Sequence, residues 1–436
     1  MNGLVRIVLV SAALGLAVPA PAQIALPTLP APQLPLPLPQ PGSLLRDVDR
    51  VVQQPVVSSV RLRARELLRR YPGQVERDPR GAPVVRAVVL ALSPSDQALQ
   101  QAQARGFQIQ SDQTLQPLGD RVVTLLVPNG LSTQQALQQL RAADPGGSYD
   151  FDHLFVESAQ AAAGAAHAVH SGTIPEAVPI RVGLIDGGVD AEHPVFATQR
   201  PQTSGCSGKP LPSMHGTAVA SLFVGRSPEF HGAAPGAQLV SVDVYCGSSA
   251  PGGRVRDIVL GLAELMGAKV RVINMSVVGP DNAVLAAVIR KVLAQSIVVV
   301  AASGNDGPNA APLFPAAYPG VVAVTAVDAH EKILMEASGG EHVRFAAPGA
   351  DMLAAIPGAT YAAVRGTSYA SPLVAGLLAA LLAREESAVV DEVVRQLAAS
   401  AVDVGKKGRD RRYGYGVVGM DLRTDAAHFS GRLAPQ

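Results

Sequence analysis

The sequence has no tryptophan, only two cysteines and few charged residues, and these shortages narrow what the protein can be. Charged residues are 16% of the chain and the formal net charge is +1 at pH 7, so we expect no nucleic acid partner. Neither an HExxH motif nor a paired-cysteine pattern is present, so no metal site of either kind is predicted. Apolar residues are 48% of the 436, enough for a sizeable core, and the length indicates two or three domains.

Long apolar runs are also missing, which argues against a membrane span in the mature protein. Residues 373–383 come closest, and a buried helix explains them better. The amino terminus instead has the pattern of a secretory signal: Arg6, a short apolar stretch over residues 7–18, and the small residues 20–22. We therefore predict a signal peptide over residues 1–22 and an exported protein, either periplasmic or extracellular.

The next segments are a proline-rich stretch and a basic helix. Residues 23–43 carry prolines at short intervals, which favours an extended spacer. A helix is predicted over residues 59–70, and it carries five arginines. Such a helix can lie on an anionic membrane, but a solvated face is the more common reason for its charge, and we favour that interpretation.

A compact α+β pattern follows, with the order β-α-β-β-α-β of a ferredoxin-like domain. The first helix is predicted to begin at Ser93-Pro94 and to stop at Gly106. The predicted strands are 84–92, 107–114, 121–127 and 149–151, and the second helix is 132–143. We place this domain, with the basic helix, at residues 44–155, and an Ala-rich linker at residues 156–174.

From residue 175 to residue 425, strands that are apolar throughout alternate with helices. This pattern predicts an α/β fold with a doubly wound, mostly parallel sheet that is covered on both faces. Ligand sites of such sheets lie beyond the carboxyl ends of the strands, where Asp186 and Asn305 are expected. Residues 426–436 form a tail. The predicted strands are 180–185, 238–245, 270–275, 297–302, 321–327 and 343–346, and the helices lie near 215–225, 256–267, 282–295, 368–384 and 389–401.

Ser368 is a candidate nucleophile, since it stands among small residues where a loop enters an apolar helix. By itself this serine is better explained as a helix cap. Asp186 follows a buried strand, His215 opens a small-residue helix, and Asn305 follows another strand. Each of these residues also has an ordinary structural explanation, but the four occur together in a definite order.

These segments resemble the subtilisin-like serine peptidases (subtilases, peptidase S8 family), in which the triad runs Asp, His, Ser along the chain. The resemblance covers roughly residues 175–425. Four further blocks match the family in the same order: Gly232–Ala237, Val272–Ser276, Phe345–Gly349 and Tyr413–Gly416.

The resemblance implies a serine endopeptidase that acts on protein or peptide substrates. Ser368 would attack the peptide carbonyl, His215 would act as the general base, and Asp186 would orient the imidazole. Asn305 and the backbone N–H of Ser368 would bind the oxyanion. The domain before residue 155 would be an intramolecular inhibitor, so that the enzyme is made as a zymogen; a separate binding module is the alternative.

The resemblance also places the specificity pocket, which would be lined by two segments: Ser276, Val277 and Val278, and Ala302, Ser303 and Gly304. Val278 stands where the family often has glycine, and Leu313 stands near the pocket base, where small residues are common. Both larger side chains would narrow the pocket. We therefore expect the preferred substrates to have a small residue, such as Ala or Val, before the cut bond. The Ala-rich linker would then be a natural site of self-processing.

Three further positions depart from the family. Gly187 replaces the usual Ser or Thr after the triad aspartate, and Tyr369 and Leu373 replace the usual Met and His around the serine. These departures keep a second hypothesis open, a catalytically weak or inactive subtilase-fold protein that binds peptides. A third hypothesis is that the amino-terminal region is a partner-binding module and the working part of the protein.

The two cysteines, Cys206 and Cys246, bracket the His215 segment. In an oxidising compartment we expect them to form a disulfide, with two free thiols as the alternative. The family's calcium ligands cannot be placed from this sequence, so no cofactor is predicted, although a structural calcium ion stays open.

Overall fold

The computed structural model describes residues 60–157, 160–162, 176–228, 230–247, 252–384 and 389–425. The predicted signal peptide, proline-rich spacer and carboxyl-terminal tail lie outside the described residues, as does most of the predicted linker. Among the described helices, Thr367–Arg384 is long and apolar enough to cross a membrane, but 72% of its apolar window is buried inside the protein. This burial is typical of a core helix.

The amino-terminal part is an antiparallel sheet with two helices on one face. Its four main strands lie in the order β5-β2-β4-β3, which is the ferredoxin-like arrangement, and β1 pairs with β2. Its elements are α1 (Val60–Arg70), β1 (Val75–Arg77), β2 (Pro83–Leu92), α2 (Asp96–Ala104), β3 (Gln108–Leu115), β4 (Asp120–Leu126), α3 (Thr133–Ala143) and β5 (Ser148–Glu157).

The side-chain alternation of β2 explains why both faces of this sheet are buried. Val89 and Ala91 pack with α2 and α3 in one apolar cluster. Val88, Leu90 and Leu92 point to the opposite face, where they join a cluster built mainly from two helices that follow residue 250. The sheet is therefore sandwiched between its own helices and the larger part of the protein.

Two predictions for this part were wrong. The first helix is capped by Ser95 and begins at Asp96, because Ser93 has a positive φ of 47° and donates its hydroxyl to Asp120. The last strand was predicted as residues 149–151 but runs to Glu157, past the boundary that we set at residue 155. Its extra length is stabilised by pairing with distant strands, which local sequence does not reveal.

The larger part contains a sheet of seven parallel strands in the order β15-β14-β13-β11-β7-β9-β8. This arrangement confirms the predicted α/β fold. The strands are β7 (Arg181–Asp186), β8 (Gln202–Gly205), β9 (Gln238–Asp243), β11 (Val272–Met275), β13 (Val298–Ala302), β14 (Val322–Val327) and β15 (Val343–Pro348).

Helices cover both faces of this sheet. On one face, α4, α7 and α8 share a single apolar cluster with the strands; on the other, α5 and α6 form the second cluster. The helices are α4 (Met214–Val224), α5 (Val255–Gly267), α6 (Ala283–Ala294), α7 (Thr367–Arg384) and α8 (Val390–Ser400), with 3-10 turns at Pro194–Phe196, Cys206–Gly208 and Met420–Leu422.

Short strands complete the fold around the carboxyl edge of the main sheet. β10 (Gly253–Arg254) and β12 (Val277–Val278) both pair with β5, and β6 (Gln160–Ala162) pairs with a hairpin. That hairpin is formed by β16 (Met352–Ile356) and β17 (Thr360–Arg365). Because β17 leads directly into α7, these pairings bring the end of the amino-terminal part to the edge of the sheet where Asp186 and Asn305 lie.

Candidate active site

Asp186 and His215 meet where a strand ends and a helix begins. Asp186 is the last residue of β7 and is fully buried. Ser213 caps α4 by accepting a hydrogen bond from Gly216 N at 2.9 Å, which fixes the first turn that carries His215. His215 Nδ1 lies 2.7 Å from Asp186 Oδ1, the contact that orients a general base.

Nearby charges raise the pKa of His215. Burial by itself would lower this pKa, but the carboxylates of Asp186 and Glu157 stabilise the imidazolium and raise it above the usual value. Arg63 acts in the opposite direction through its positive charge. The two carboxylates therefore stabilise the imidazolium, which is the form that His215 takes after it has accepted a proton.

Ser368 is held at the start of α7 by backbone and side-chain contacts. Its hydroxyl donates to Ser276 O at 3.4 Å, and its own carbonyl accepts a hydrogen bond from the hydroxyl of Ser276 at 2.9 Å. His215 Nε2 has no hydrogen-bond partner among the described residues. A basic nitrogen and a serine hydroxyl are the groups that a nucleophile–base pair requires, and the bond between them often forms only with substrate.

Asn305 lies beside the amino terminus of α7. Its Oδ1 accepts a hydrogen bond from Thr367 N at 3.2 Å, so the donor end of the same amide is directed elsewhere. Thr367 Oγ1 in turn accepts from Gly304 N at 3.1 Å, at a residue whose φ is +102°. These two bonds fix the Asn305 loop against the start of α7, the helix whose second residue is Ser368, as an oxyanion site requires.

The chain's own strand β5 occupies the cleft beside these residues. It lies antiparallel between β10 and β12: Phe155 is opposite Gly253, Val156 opposite Val278, and Glu157 opposite Val277. Strand addition of this kind is how extended peptides are bound at a sheet edge. The next described strand after β5 is β6, in which Gln160 is opposite Arg365. Arg365 lies three residues before Ser368 in the sequence.

The residues predicted to line the specificity pocket have different roles. Val277 and Val278 bind the extended chain through their backbone, and both are buried. The hydroxyls of Ser276 and Ser303 are used structurally, since Ser303 donates to Ser338 O at 2.8 Å. Ala302 ends β13.

Leu313 lies directly over Gly304, since a β-carbon added to Gly304 would overlap the Leu313 side chain. The branched side chain therefore fills space next to the Asn305 loop.

Several residues around the site were not found from the sequence. The ring of Phe155 packs against the backbone of Gly279, 2.6 Å from where a β-carbon would stand, and is fully buried. Glu157 and Arg63 lie next to the candidate triad. The run from His153 to Glu157, which is apolar in its middle, could have predicted a longer strand, but nothing local indicated that this strand enters the cleft.

The position after Asp186 is filled from another element. A β-carbon at Gly187 would overlap the hydroxyl oxygen of Ser213. The hydroxyl of Ser213 thus occupies the space that a side chain at position 187 would need. Tyr369 packs its ring 5.5 Å from the ring of His215, which covers the imidazole with an apolar surface.

One group of acidic and imidazole side chains among the described residues is compact enough to resemble a metal site. Glu157, Asp186 and His215 each place an oxygen or nitrogen within 4.8 Å of the others. His215 directs Nδ1 to Asp186, which is the arrangement of a base and its orienting carboxylate, so we assign no metal ligand here. The absence of a cofactor stays a prediction.

Cys206 and Cys246 are joined by a disulfide, with their Cα atoms 5.2 Å apart. The bridge closes a loop across 40 positions and ties the segment before His215 to the end of β9. A loop of this length is expected to contribute about 4 kcal/mol by constraining the unfolded chain.

Comparisons with known proteins agree with this geometry. Residues 179–416 match the Subtilase family, Peptidase S8. Subtilisin E of Bacillus subtilis is 31% identical over 309 residues, which are 66% of this chain and 77% of that protein. Minor extracellular protease Epr of the same organism is 28% identical over 260 residues, and the match spans 58% of this chain but only 40% of Epr.

Among solved structures, fervidolysin from Fervidobacterium pennivorans, described as a keratinolytic enzyme related to subtilisin, superposes with a TM-score of 0.65. The match covers 78% of this chain and 61% of that one at 19% identity, so it bears on the fold alone.

Proposed function

The chain belongs to the subtilase family of serine peptidases, and we propose on this basis that it is an exported endopeptidase that cleaves peptide bonds through Asp186, His215 and Ser368. The observation that carries the proposal is the buried Asp186–His215 contact of 2.7 Å beside the serine at the start of α7. The hydroxyl of Ser368 would attack the carbonyl while His215 Nε2 takes its proton, and Asp186 would stabilise the imidazolium.

The tetrahedral intermediate would place its oxyanion at the start of α7. Asn305 and the backbone N–H of Ser368 would donate to it, and the positive end of the helix dipole adds to their effect. His215 would then protonate the leaving amine, the acyl-enzyme would form at Ser368 Oγ, and a water molecule would release it by the same route in reverse.

We propose that residues 60–157 are the intramolecular inhibitor of a zymogen. Strand β5 fills the cleft, and two of its carboxylates cap helices of the larger part: Asp152 Oδ1 accepts from Arg256 N at 3.2 Å and Asp150 Oδ2 accepts from Ala283 N at 2.7 Å. Arg254 adds an ion pair to Asp152 at 2.6 Å. These contacts support inhibition by occupancy of the substrate cleft.

The strand register supports one bond as the site of self-cleavage. Val278 is opposite Val156 and Val277 is opposite Glu157, so Glu157 is the last residue of this antiparallel pairing that the structure describes. Ser276 precedes Val277 in the sequence, and the hydroxyl of Ser368 donates to Ser276 O at 3.4 Å, which supports a cut shortly after Glu157. We therefore propose cleavage of the bond between Ser158 and Ala159.

The residue before this bond is small, as is expected of a narrow pocket. Leu313 fills space over Gly304, and Val278 is a buried residue of the strand that pairs with β5, so we expect large side chains to overlap with the pocket walls. We propose a preference for small residues such as Ala or Val before the cut bond.

A fluorophosphonate probe tests the catalytic proposal, because it reacts only with a serine that its own base activates. Purified protein and Ser368→Ala would be treated with the probe after incubation for self-processing, with hydrolysis of an Ala-rich peptide measured in parallel. We expect labelling at Ser368 by peptide mapping, together with hydrolysis, and neither in the variant. A folded wild-type protein without label or hydrolysis would instead support the peptide-binding alternative.

A further inference from the structure

Helix α1 lies outside the ferredoxin-like unit, yet one of its arginines reaches the candidate triad. Arg63 Nη1 donates to the backbone oxygen of Glu157 at 2.6 Å and lies 3.9 Å from the carboxylate oxygen Oε2 of the same residue. The Arg63 side chain is 14% exposed, whereas the nearby Arg65, Arg69 and Arg70 are exposed. Only part of the basic face is therefore solvated.

Glu157 lies in a cluster of negative charge. Its carboxylate is within 4.8 Å of Asp186 and His215, and its Oε1 is 3.4 Å from where a β-carbon at Gly187 would stand. Burial raises the pKa of Glu157, and the carboxylates of Asp186 and Asp243 raise it further, whereas His215 and Arg63 favour the charged carboxylate and lower the pKa. Burial also raises the pKa of the two tyrosines that face the cluster, so neither compensates charge. The charged and titratable groups are Arg63, Glu157, Asp186, His215, Asp243, Tyr245 and Tyr369.

This charge arrangement opposes the reaction that the site must perform. A general base accepts a proton only in its neutral form, and the carboxylate of Glu157 stabilises the charged form of His215. Arg63 offsets that effect, because its positive charge faces both Glu157 and His215. Arg63 is thus the cation that allows a glutamate to lie beside the imidazole.

We propose that Arg63 is a positioning and specificity-determining residue for self-cleavage: it holds Glu157 as the second residue before the cut bond and neutralises its carboxylate next to His215. The proposal rests on the proposed self-cleavage. It implies that the protein's own site is a good substrate only while α1 supplies Arg63. The same sequence in a separate peptide lacks this cation, so an acidic residue at that position disfavours cleavage in trans.

Self-cleavage of the full chain would be followed by intact mass over a series of pH values, for wild type, Arg63→Ala, Arg63→Lys and the matched control Arg69→Ala. Arg69 belongs to the same helix, and its guanidinium donates to the carboxylate of Glu66 at 2.8 Å, on the exposed face. We expect Arg63→Ala to slow cleavage about tenfold at pH 7, as a shift of one pH unit would produce. Its pH midpoint should move upward, whereas Arg63→Lys should keep the midpoint and Arg69→Ala should match wild type.

A charge-neutral background makes the test specific. In Glu157→Gln, which keeps the shape of the side chain, Arg63→Ala should move the pH midpoint less than it does with Glu157 present, because only the direct repulsion between Arg63 and His215 is then lost. Thermal unfolding would establish that each variant folds. If Arg63→Ala does not fold, Arg63→Lys provides the test.

Three outcomes would overturn the proposal. Arg63→Ala could have no effect, or it could slow self-cleavage equally at every pH, which would indicate that Arg63 only helps to dock the amino-terminal part. The third is a midpoint shift from Arg63→Ala that is the same in the Glu157→Gln background. Wild type that stays uncut at every pH would overturn the proposed self-cleavage itself, which is a separate result.

Discussion

The hydroxyl of Ser213 occupies the space that a side chain at position 187 would need. Ser213 also caps the helix that carries His215, so one residue both supports the base and fills the space next to Asp186. Gly187 is therefore one member of a matched pair in space, while Asp186 Oδ2 has no hydrogen-bond partner among the described residues.

This pairing predicts that restoring the family's residue lowers activity. In Gly187→Ser the new β-carbon overlaps the oxygen of Ser213, which must move and release its bond to Gly216. We expect kcat for an Ala-rich peptide to fall about tenfold, equivalent to a loss of about 1.4 kcal/mol in transition-state stabilisation. Gly187→Ser combined with Ser213→Gly should recover part of that loss. Activity of Gly187→Ser equal to wild type would contradict the pairing.

Asn305 is expected to act on kcat and hardly on KM, because an oxyanion donor binds charge that exists only in the transition state. Asn305→Ala should lower kcat about 10²–10³-fold, in line with the loss of one such donor. Asn309→Ala is the matched control, since Asn309 is exposed in the same loop. A change in KM alone for Asn305→Ala would place the residue in substrate binding instead.

The pH dependence of the two reactions should differ. The neutral form of His215 is the active base, so both rates rise with pH through its pKa, and Asp186 raises that pKa in both states. In the uncut chain Glu157 raises it further, and this effect outweighs the opposing effect of Arg63. Self-cleavage should therefore reach half its maximum at a higher pH than peptide hydrolysis by the processed enzyme. Coinciding profiles would show that Glu157 does not influence the base.

Leu313 should control the size of the residue before the cut bond. In Leu313→Ala the space over Gly304 opens, and large apolar side chains would no longer overlap with the pocket. We expect kcat/KM for peptides with Phe or Leu before the bond to rise about tenfold relative to Ala, measured with a peptide library. If wild type already prefers Phe or Leu, the narrow-pocket proposal is wrong.

Local pattern predicted the parallel sheet, and the resemblance to a family selected the four candidate site residues. Asp186 and Asn305 follow apolar strands, and His215 and Ser368 lie at helix starts, where residue type and position carry the information. The contacts that close the site were not predictable in this way. The pairing of Glu157 with Val277 joins residues that are far apart in the chain, and the contact of Arg63 with Glu157 depends on where α1 lies.

The central claim, that an active triad cuts its own amino-terminal domain from the cleft, is tested most directly by intact mass and amino-terminal sequencing of wild type beside Ser368→Ala. We predict that wild type yields a new amino terminus at Ala159 while the variant stays uncut in this region. A wild-type protein that remains uncut between Glu157 and Gln160, or a variant that is cut there as readily, would contradict it.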